Sequence, residues 1–175
     1  MNKTYQFKTY ENKNIDIKFI KFIKNIDISV FLKTYKVSNF IFGKFVIRRL
    51  FNKIFKYHLS KKIIWRNTFW DKIDIKLIET KVILDSNLSI IANNYSKYSN
   101  KRRIESIKEY QSLLNTGHDL GCPLFVSGSC INYLGGNIEN SDIFMLDGSR
   151  RLYAHILNGS NPNVLFIDLK KDCNE

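Results

Sequence analysis

The amino-acid sequence predicts an α+β fold, with one compact domain of packed helices and a small mixed sheet, preceded by a basic region. Segments in both halves of the chain alternate apolar and polar residues, as strands with one buried face do. Other segments repeat apolar residues every three to four positions, as amphipathic helices do. With 175 residues, 44% of them hydrophobic, the chain has room for one ordinary domain, or for a small domain with an extension.

Two short strands and one long helix are predicted in the first half of the chain. Residues 15–20 and 25–30 alternate apolar and polar side chains. Between residues 40 and 59, polar residues recur every four positions beside two apolar rows, which indicates a basic amphipathic helix with a broad apolar surface. This helix either packs onto the rest of the protein, which we favour, or lies on an anionic membrane, or contacts nucleic acid.

The whole net charge of +12 lies in the first half of the chain. Residues 1–85 contain 19 Lys and Arg residues against 7 Asp and Glu residues, whereas residues 86–175 contain nine of each. Such a basic half attracts anionic partners, either a membrane surface or nucleic acid. An A+T-rich coding sequence would also produce these lysines without any partner, since Asn, Ile, Phe and Tyr are abundant as well.

Several classes of protein are disfavoured by the composition. The three cysteines and three histidines lack the spacing of a metal site, so we expect neither a structural zinc nor a disulfide framework. The first 14 residues are polar and contain no apolar signal core, and no run of 18 apolar residues occurs. The expected location is therefore the cytoplasm, with a membrane-peripheral location as the alternative.

The second half of the chain predicts a compact domain at residues 70–175, after a basic N-terminal region at residues 1–69. Its elements are predicted from apolar periodicity and from turn residues. In order they are a strand at 71–78, a helix at 104–114 stopped by Gly117, a strand at 122–126, a turn at 135–137, a strand at 143–146, a helix ending near Gly159 and a strand at 164–169.

One turn of this domain carries the clearest chemical signal. The strand at 143–146 runs into Asp147 and Gly148, and Ser149, Arg150 and Arg151 then open a helix. A glycine at a strand-to-helix turn lets a ligand approach the backbone, and the start of the helix offers N–H groups to an anion. Two arginines beside these groups favour phosphate. The alternative is an ordinary tight turn whose arginines face solvent.

The order of elements around this turn resembles the ParB/sulfiredoxin-like superfamily over about residues 73–170. The matching segments are GHDLGCPLFV at 117–126, DGSRRLYA at 147–154 and the closing strand at 164–169. Members bind nucleotide phosphates at this turn. The resemblance implies binding of ATP or ADP with Mg²⁺, and CTP is a further candidate because partition proteins of the superfamily use it.

Departures from the branches of the superfamily narrow the expected activity. Ser149 replaces the cysteine that sulfiredoxins use, which argues against their chemistry, and it also replaces the glutamate of partition proteins. Free-serine kinases carry Asp-Gly-His-His-Arg, which Asp147, Gly148 and Arg151 match. We therefore expect a phosphotransferase, a kinase acting on a small-molecule or sugar hydroxyl. The alternatives are a DNA-binding ParB-like protein with nuclease or CTPase activity, and a degenerate module that only binds nucleotide.

A phosphotransferase needs phosphate anchors, a base for the acceptor hydroxyl and usually a divalent metal. The expected anchors are the four residues that follow Asp147, namely Gly148, Ser149, Arg150 and Arg151. Asp147 is the expected Mg²⁺ ligand or acceptor-orienting group. Glu105 is the candidate base, although a solvated, salt-bridged helix face explains it better. The expected lining of the pocket is His118, Asp119 and His155.

Overall fold

The computed structural model describes residues 3–8, 14–34, 71–84, 100–133 and 138–170. Within these ranges the chain has a mixed α/β fold of six strands and four helices. The strands are β1 (Lys3–Lys8), β2 (Asn14–Ile26), β3 (Ile73–Ile83), β4 (Leu124–Ser127), β5 (Ile143–Asp147) and β6 (Asn163–Leu169). The helices are α1 (Ile28–Thr34), α2 (Lys101–Asn115), α3 (Gly128–Tyr133) and α4 (Ser149–Leu157).

The six described strands form one sheet in the order β1-β2-β3-β6-β4-β5. Strands β1 and β2 are antiparallel, with Lys3 opposite Phe19. Strands β4 and β6 are parallel, with Leu124 opposite Leu165. The sheet is mixed, because it contains both kinds of pairing. It is larger than the small sheet predicted for residues 70–175, since β1 and β2 of the predicted N-terminal region belong to it.

Two compact units can be distinguished by their internal contacts, and the candidate site lies wholly in the first of them. This unit takes its described residues from the ranges Met1–Phe22, Ile78–Pro123 and Asp147–Val164. Its core contains Phe7, Ile15, Ile17, Phe19, Ile78, Ile107, Leu152, Tyr153, Ala154, Ile156 and Val164. The rings of Phe7 and Tyr153 meet with their centroids 5.6 Å apart.

The second unit takes its described residues from Ile23–Leu77, Leu124–Leu146 and Leu165–Glu175. All four residues of β4 are buried, as expected of a strand covered on both faces. The Lys76 ammonium lies 2.9 Å from a carboxylate oxygen of Asp168, so an ion pair joins β3 to β6.

The predicted strand at residues 15–20 is confirmed, but the strand predicted at 25–30 is wrong beyond Ile26. Strand β2 runs without a break to Ile26, and α1 begins at Ile28. Asp27 causes the change, because its Oδ1 accepts hydrogen bonds from the backbone N–H groups of Ser29 and Val30. Its carbonyl oxygen also accepts from Phe31 N. A side-chain cap of this kind starts a helix even where the apolar pattern reads as a strand.

The predicted elements of the second half are confirmed where they are described. Asn100 caps α2 by accepting a hydrogen bond from Arg103 N at 2.9 Å, and Gly117 follows the helix with φ +78°. Helix α4 likewise ends just before Gly159, at φ +64°. The sequence did not predict α3, which begins directly after Ser127. The Ser127 hydroxyl accepts a hydrogen bond from Cys130 N at 3.2 Å and so caps this short helix.

Two predicted features lie outside the described residues. They are the basic amphipathic helix at 40–59 and the turn at 135–137. The division between residues 69 and 70 stays a prediction. Among the helices that the structure describes, none is long and apolar enough to cross a membrane.

Candidate functional site

Gly148 sets the shape of the turn that joins β5 to α4. Its φ of +87° lies in the left-handed region, which glycine adopts without steric cost. The Gly148 carbonyl accepts a hydrogen bond from Leu152 N at 2.8 Å and closes the first turn of α4. The preceding N–H groups of the helix have no partner within it, as at any helix start, and Gly148 has no side chain with which to cap them.

Close packing against Pro123 is a second reason for glycine at this position. A Cβ atom placed on Gly148 would lie 2.8 Å from Pro123 Cα and 3.2 Å from Arg151 Nη2. The first distance is shorter than carbon atoms tolerate, and both Pro123 atoms that the Cβ would meet belong to the backbone or to a rigid ring. The turn is therefore held against the segment that leads into β4.

Arg151 holds the turn together from inside. Its Nη1 donates to the Leu120 carbonyl and its Nη2 donates to Asp147 Oδ2, each at 3.2 Å. The Arg151 side chain is only 16% exposed, so this ion pair is better shielded from water than a surface pair. Arg151 was expected to bind phosphate directly, but its two terminal nitrogens already hold Asp147 and the loop that contains Leu120.

A second group of polar side chains lies where α2 packs against the start of α4. Arg103 Nη2 donates to Ser149 Oγ at 3.4 Å, and Arg150 Nη1 donates to Ser106 Oγ at 3.2 Å. We call Arg103, Ser106, Ser149 and Arg150 the arginine–serine cluster. It contains two guanidinium groups and two hydroxyl groups, all of which suit phosphate oxygens.

Arg103 and Ser106 are not predicted from the sequence as site residues. Their spacing of three residues puts them on one face of a helix, and the apolar residues Ile107 and Tyr110 share that side. The sequence signal that could have identified Arg103 and Ser106 is that two polar residues share the apolar, packed face of an amphipathic helix. Arg102 and Lys108, on the same helix, are exposed.

The loop before β4 is shaped by Asp119, one of the residues expected to line the pocket. Its Oδ1 accepts a hydrogen bond from Gly121 N at 2.8 Å, which closes a tight turn. A Cβ on Gly121 would lie 3.2 Å from Arg151 Nη1, so this loop lies directly against the guanidinium. Burial raises the pKa of the neighbouring Cys122 thiol, and the Asp119 charge raises it further, while Arg151 opposes them. The thiol is therefore protonated and unreactive at neutral pH.

His155 lies one turn of α4 beyond Arg151 and is partly buried. Its Nδ1 is 2.8 Å from Ser160 Oγ, and its carbonyl accepts from Ser160 N at 2.9 Å. Burial lowers the pKa of the imidazole below its usual 6.5, and the charge of Arg151 lowers it further, whereas Asp119 raises it. Neutral imidazole is thus the favoured form in the folded protein.

This shift in the pKa of His155 predicts a loss of stability in mild acid. Because the imidazole takes up a proton more readily in the unfolded chain, the free energy of unfolding should fall as the pH drops below 6.5. Urea titrations between about pH 5 and pH 8 measure this dependence. His155→Gln should flatten the acid side of the profile. An acid side that is equally steep in His155→Gln and in the unmodified chain would contradict the assignment.

Four of the predicted site residues are exposed, namely Glu105, His118, Asp119 and Arg150. The carboxylate of Glu105 is 63% exposed and 4.0 Å from the Lys101 ammonium one turn earlier, as the alternative reading of a solvated, salt-bridged face expected. The His118 imidazole is exposed, and its Nδ1 lies 2.8 Å from Thr116 Oγ1. The structure thus brings Asp147, Gly148 and Ser149 together with Arg150 and Arg151. The catalytic role of Glu105 stays a prediction.

A metal ion at this turn would have few protein ligands. Among the described residues, no group of three or more His, Cys, Asp or Glu side chains is placed to hold one. Asp147 is the carboxylate at the turn, and the Arg151 guanidinium lies 3.2 Å from its Oδ2. This positive charge disfavours a metal held by Asp147 alone. A magnesium ion that arrives with its ligands on nucleotide phosphates needs only one carboxylate from the protein.

Comparisons with known proteins identify no relative of this chain. No family model, no curated protein and no solved structure matches the chain. The resemblance to the ParB/sulfiredoxin-like superfamily therefore stays a prediction from the three matching segments.

Proposed function

We propose that the chain binds a nucleotide by its phosphates at the start of α4 and transfers a phosphoryl group to a small-molecule or sugar hydroxyl. The observation that carries this proposal is the arginine–serine cluster. Arg103 from α2 and Arg150 from α4 both reach hydroxyl groups beside the glycine turn. Phosphate binding at a helix start draws on such positive charge together with backbone N–H groups.

Each residue of the turn has a part in the proposed binding. Gly148 leaves the backbone open, so that the first N–H groups of α4 can donate to phosphate oxygens. Arg150 is exposed, and its weak hydrogen bond to Ser106 can be exchanged for a bond to phosphate. Arg151 acts indirectly, because it keeps Asp147 and the loop at Leu120 in place. Magnesium enters with the nucleotide, as part of the substrate complex.

The superfamily resemblance supports nucleotide as the phosphate-bearing ligand. Asp147, Gly148 and Arg151 match the motif of free-serine kinases, and the acceptor hydroxyl would then lie beside Asp147. Ser149 and Arg150 stand where those kinases have two histidines. The acceptor site of this chain must therefore differ, and a base other than histidine would have to take the acceptor proton.

Titration calorimetry with ATP, ADP and CTP in the presence of Mg²⁺ tests the proposal. Arg103→Ala should weaken binding of the preferred nucleotide by about tenfold, as loss of one charge-assisted hydrogen bond does. Arg102→Ala is the matched control, because it removes the same charge from the exposed side of the same helix. Its affinity should stay within about twofold of the unmodified chain. Failure of all three nucleotides to bind, or equal losses in both variants, would overturn the proposal.

A second candidate function is nucleotide binding without catalysis. The exposed Glu105 and its ion pair with Lys101 favour it, because a general base is normally sheltered beside its substrate. Incubation of the chain with radiolabelled ATP and a mixture of hydroxyl-bearing metabolites separates the two functions. Nucleotide that binds and is recovered intact supports the binding module. Label transferred to an acceptor supports the kinase.

A further inference from the structure

A second basic site lies away from the turn, on strands β1, β2 and β3. A cavity of about 350 Å³ opens there. Six residues line it: Lys3, Thr4, Lys18, Phe19, Ile20 and Lys81. This volume is near the lower end of the range for small-ligand sites, so the cavity has room for a phosphate group and its sugar.

The lining of this cavity is strongly cationic. Three strands each contribute one lysine, and none of the six lining residues is acidic. Lys18 lies opposite Thr4 in the antiparallel pairing, so an ammonium and a hydroxyl donor face the same side of the sheet. Lys81 is exposed on the neighbouring strand. The ammonium groups of Lys18 and Lys81, which are exposed on neighbouring strands, suit an anion with several oxygen atoms, above all a phosphate.

Apolar side chains continue from the cavity along β2. Lys18, Ile20 and Phe22 alternate along the strand and so share one face, about 7 Å apart in succession. Ile20 is 48% exposed and Phe22 is 47% exposed, which is unusual for large apolar residues in a strand. Asp16 precedes Lys18 on the same face. Its negative charge repels an anionic chain, which therefore runs from Lys18 towards Phe22 and not towards Asp16.

We propose that this surface binds single-stranded nucleic acid, with one phosphate in the lysine-lined cavity and a base on Phe22. A basic groove beside an exposed aromatic ring is the pattern by which proteins hold single strands without reading their sequence. A lipid bilayer also offers phosphates and apolar contacts, but it is flat, and the phosphate site is a concave cavity. This site is independent of the nucleotide site at α4.

Fluorescence anisotropy with labelled oligo(dT) and oligo(U), over a range of salt concentrations, tests the proposal on the full chain. The double variant Lys18→Gln/Lys81→Gln should reduce the slope of log affinity against log salt by about 0.7, since the contact with one phosphate is lost. Phe22→Ala should weaken binding by about tenfold and leave the slope unchanged, because stacking releases no counterions. Lys101→Gln/Lys108→Gln removes the same charge from α2 and serves as the control.

The variants also separate this surface from the other basic residues of the chain. A slope that is unchanged in Lys18→Gln/Lys81→Gln, or that changes equally in the control, would overturn the proposal. Arg48, Arg49 and Lys53 belong to the basic helix predicted at residues 40–59. Loss of binding when these three alone are replaced by glutamate, with no effect of the double variant, would also overturn the proposal. If the chain sediments with anionic vesicles but binds neither oligonucleotide, the surface binds lipid and the proposal of nucleic-acid binding is rejected.

Discussion

Replacing Gly148 with alanine is expected to lower the free energy of unfolding by about 2 to 5 kcal/mol and to abolish nucleotide binding. Two costs combine. A residue with a Cβ atom at φ +87° is strained by about 1 to 2 kcal/mol. The new Cβ would also meet Pro123 Cα at 2.8 Å, and relief of such a contact costs about 1 to 3 kcal/mol more. Urea denaturation followed by circular dichroism measures the sum.

Gly117→Ala separates these two costs. Gly117 has a similar φ of +78°, but a Cβ placed on it meets no atom within 4 Å. We therefore expect only the conformational cost of about 1 to 2 kcal/mol there, with nucleotide affinity retained. If both variants lose the same stability, the close packing of Gly148 on Pro123 is not a determinant of the turn.

Arg150 and Arg151 are neighbours, yet their replacement by alanine should have very different effects on the free energy of unfolding. Arg151→Ala should lower the free energy of unfolding by about 2 to 3 kcal/mol, since it removes two hydrogen bonds of a charged, mostly buried group. Arg150→Ala should change it by less than about 0.5 kcal/mol, since that side chain is exposed. Both should weaken nucleotide binding by about tenfold or more, Arg150 by direct contact and Arg151 by collapse of the turn.

Denaturation and calorimetry on the same preparations test this contrast. Arg151→Lys is the informative third variant. It keeps the positive charge, but a lysine lacks the planar guanidinium whose two terminal nitrogens bond to Leu120 and Asp147 at the same time. It should remain less stable than the unmodified chain. A fully stable Arg151→Ala protein would show that Arg151 is not the internal support of the turn.

Much of the fold is predictable from local sequence patterns, because the signals for helices and strands lie in residues that are close together along the chain. The spacing of apolar residues located α2 and α4, and Gly117 and Gly159 located their ends within two residues. The same reasoning failed at Asp27, where a single capping carboxylate outweighs the alternation of the residues around it. Over only six residues, the apolar patterns of a strand and of a helix differ little, so a capping side chain decides which of the two forms.

The candidate site was predicted only in part, for a different reason. The five residues from Asp147 to Arg151 are contiguous, so the sequence alone indicates a phosphate site. The pairing of Arg103 with Ser149 joins residues 46 positions apart and depends on how α2 packs on α4. Likewise, the sequence gives Arg150 and Arg151 the same chemistry. Only the fold decides that one faces solvent and the other faces Leu120 and Asp147.

The position of β6 in the sheet has a consequence for synthesis on the ribosome. It is the last described strand along the chain, yet it lies between β3 and β4. The nascent polypeptide must therefore hold the edges of both strands open until residues 163–169 have emerged, and open edges of this kind invite pairing with other chains. Until then the growing chain presents two unpaired strand edges, which chaperones that bind extended segments can cover.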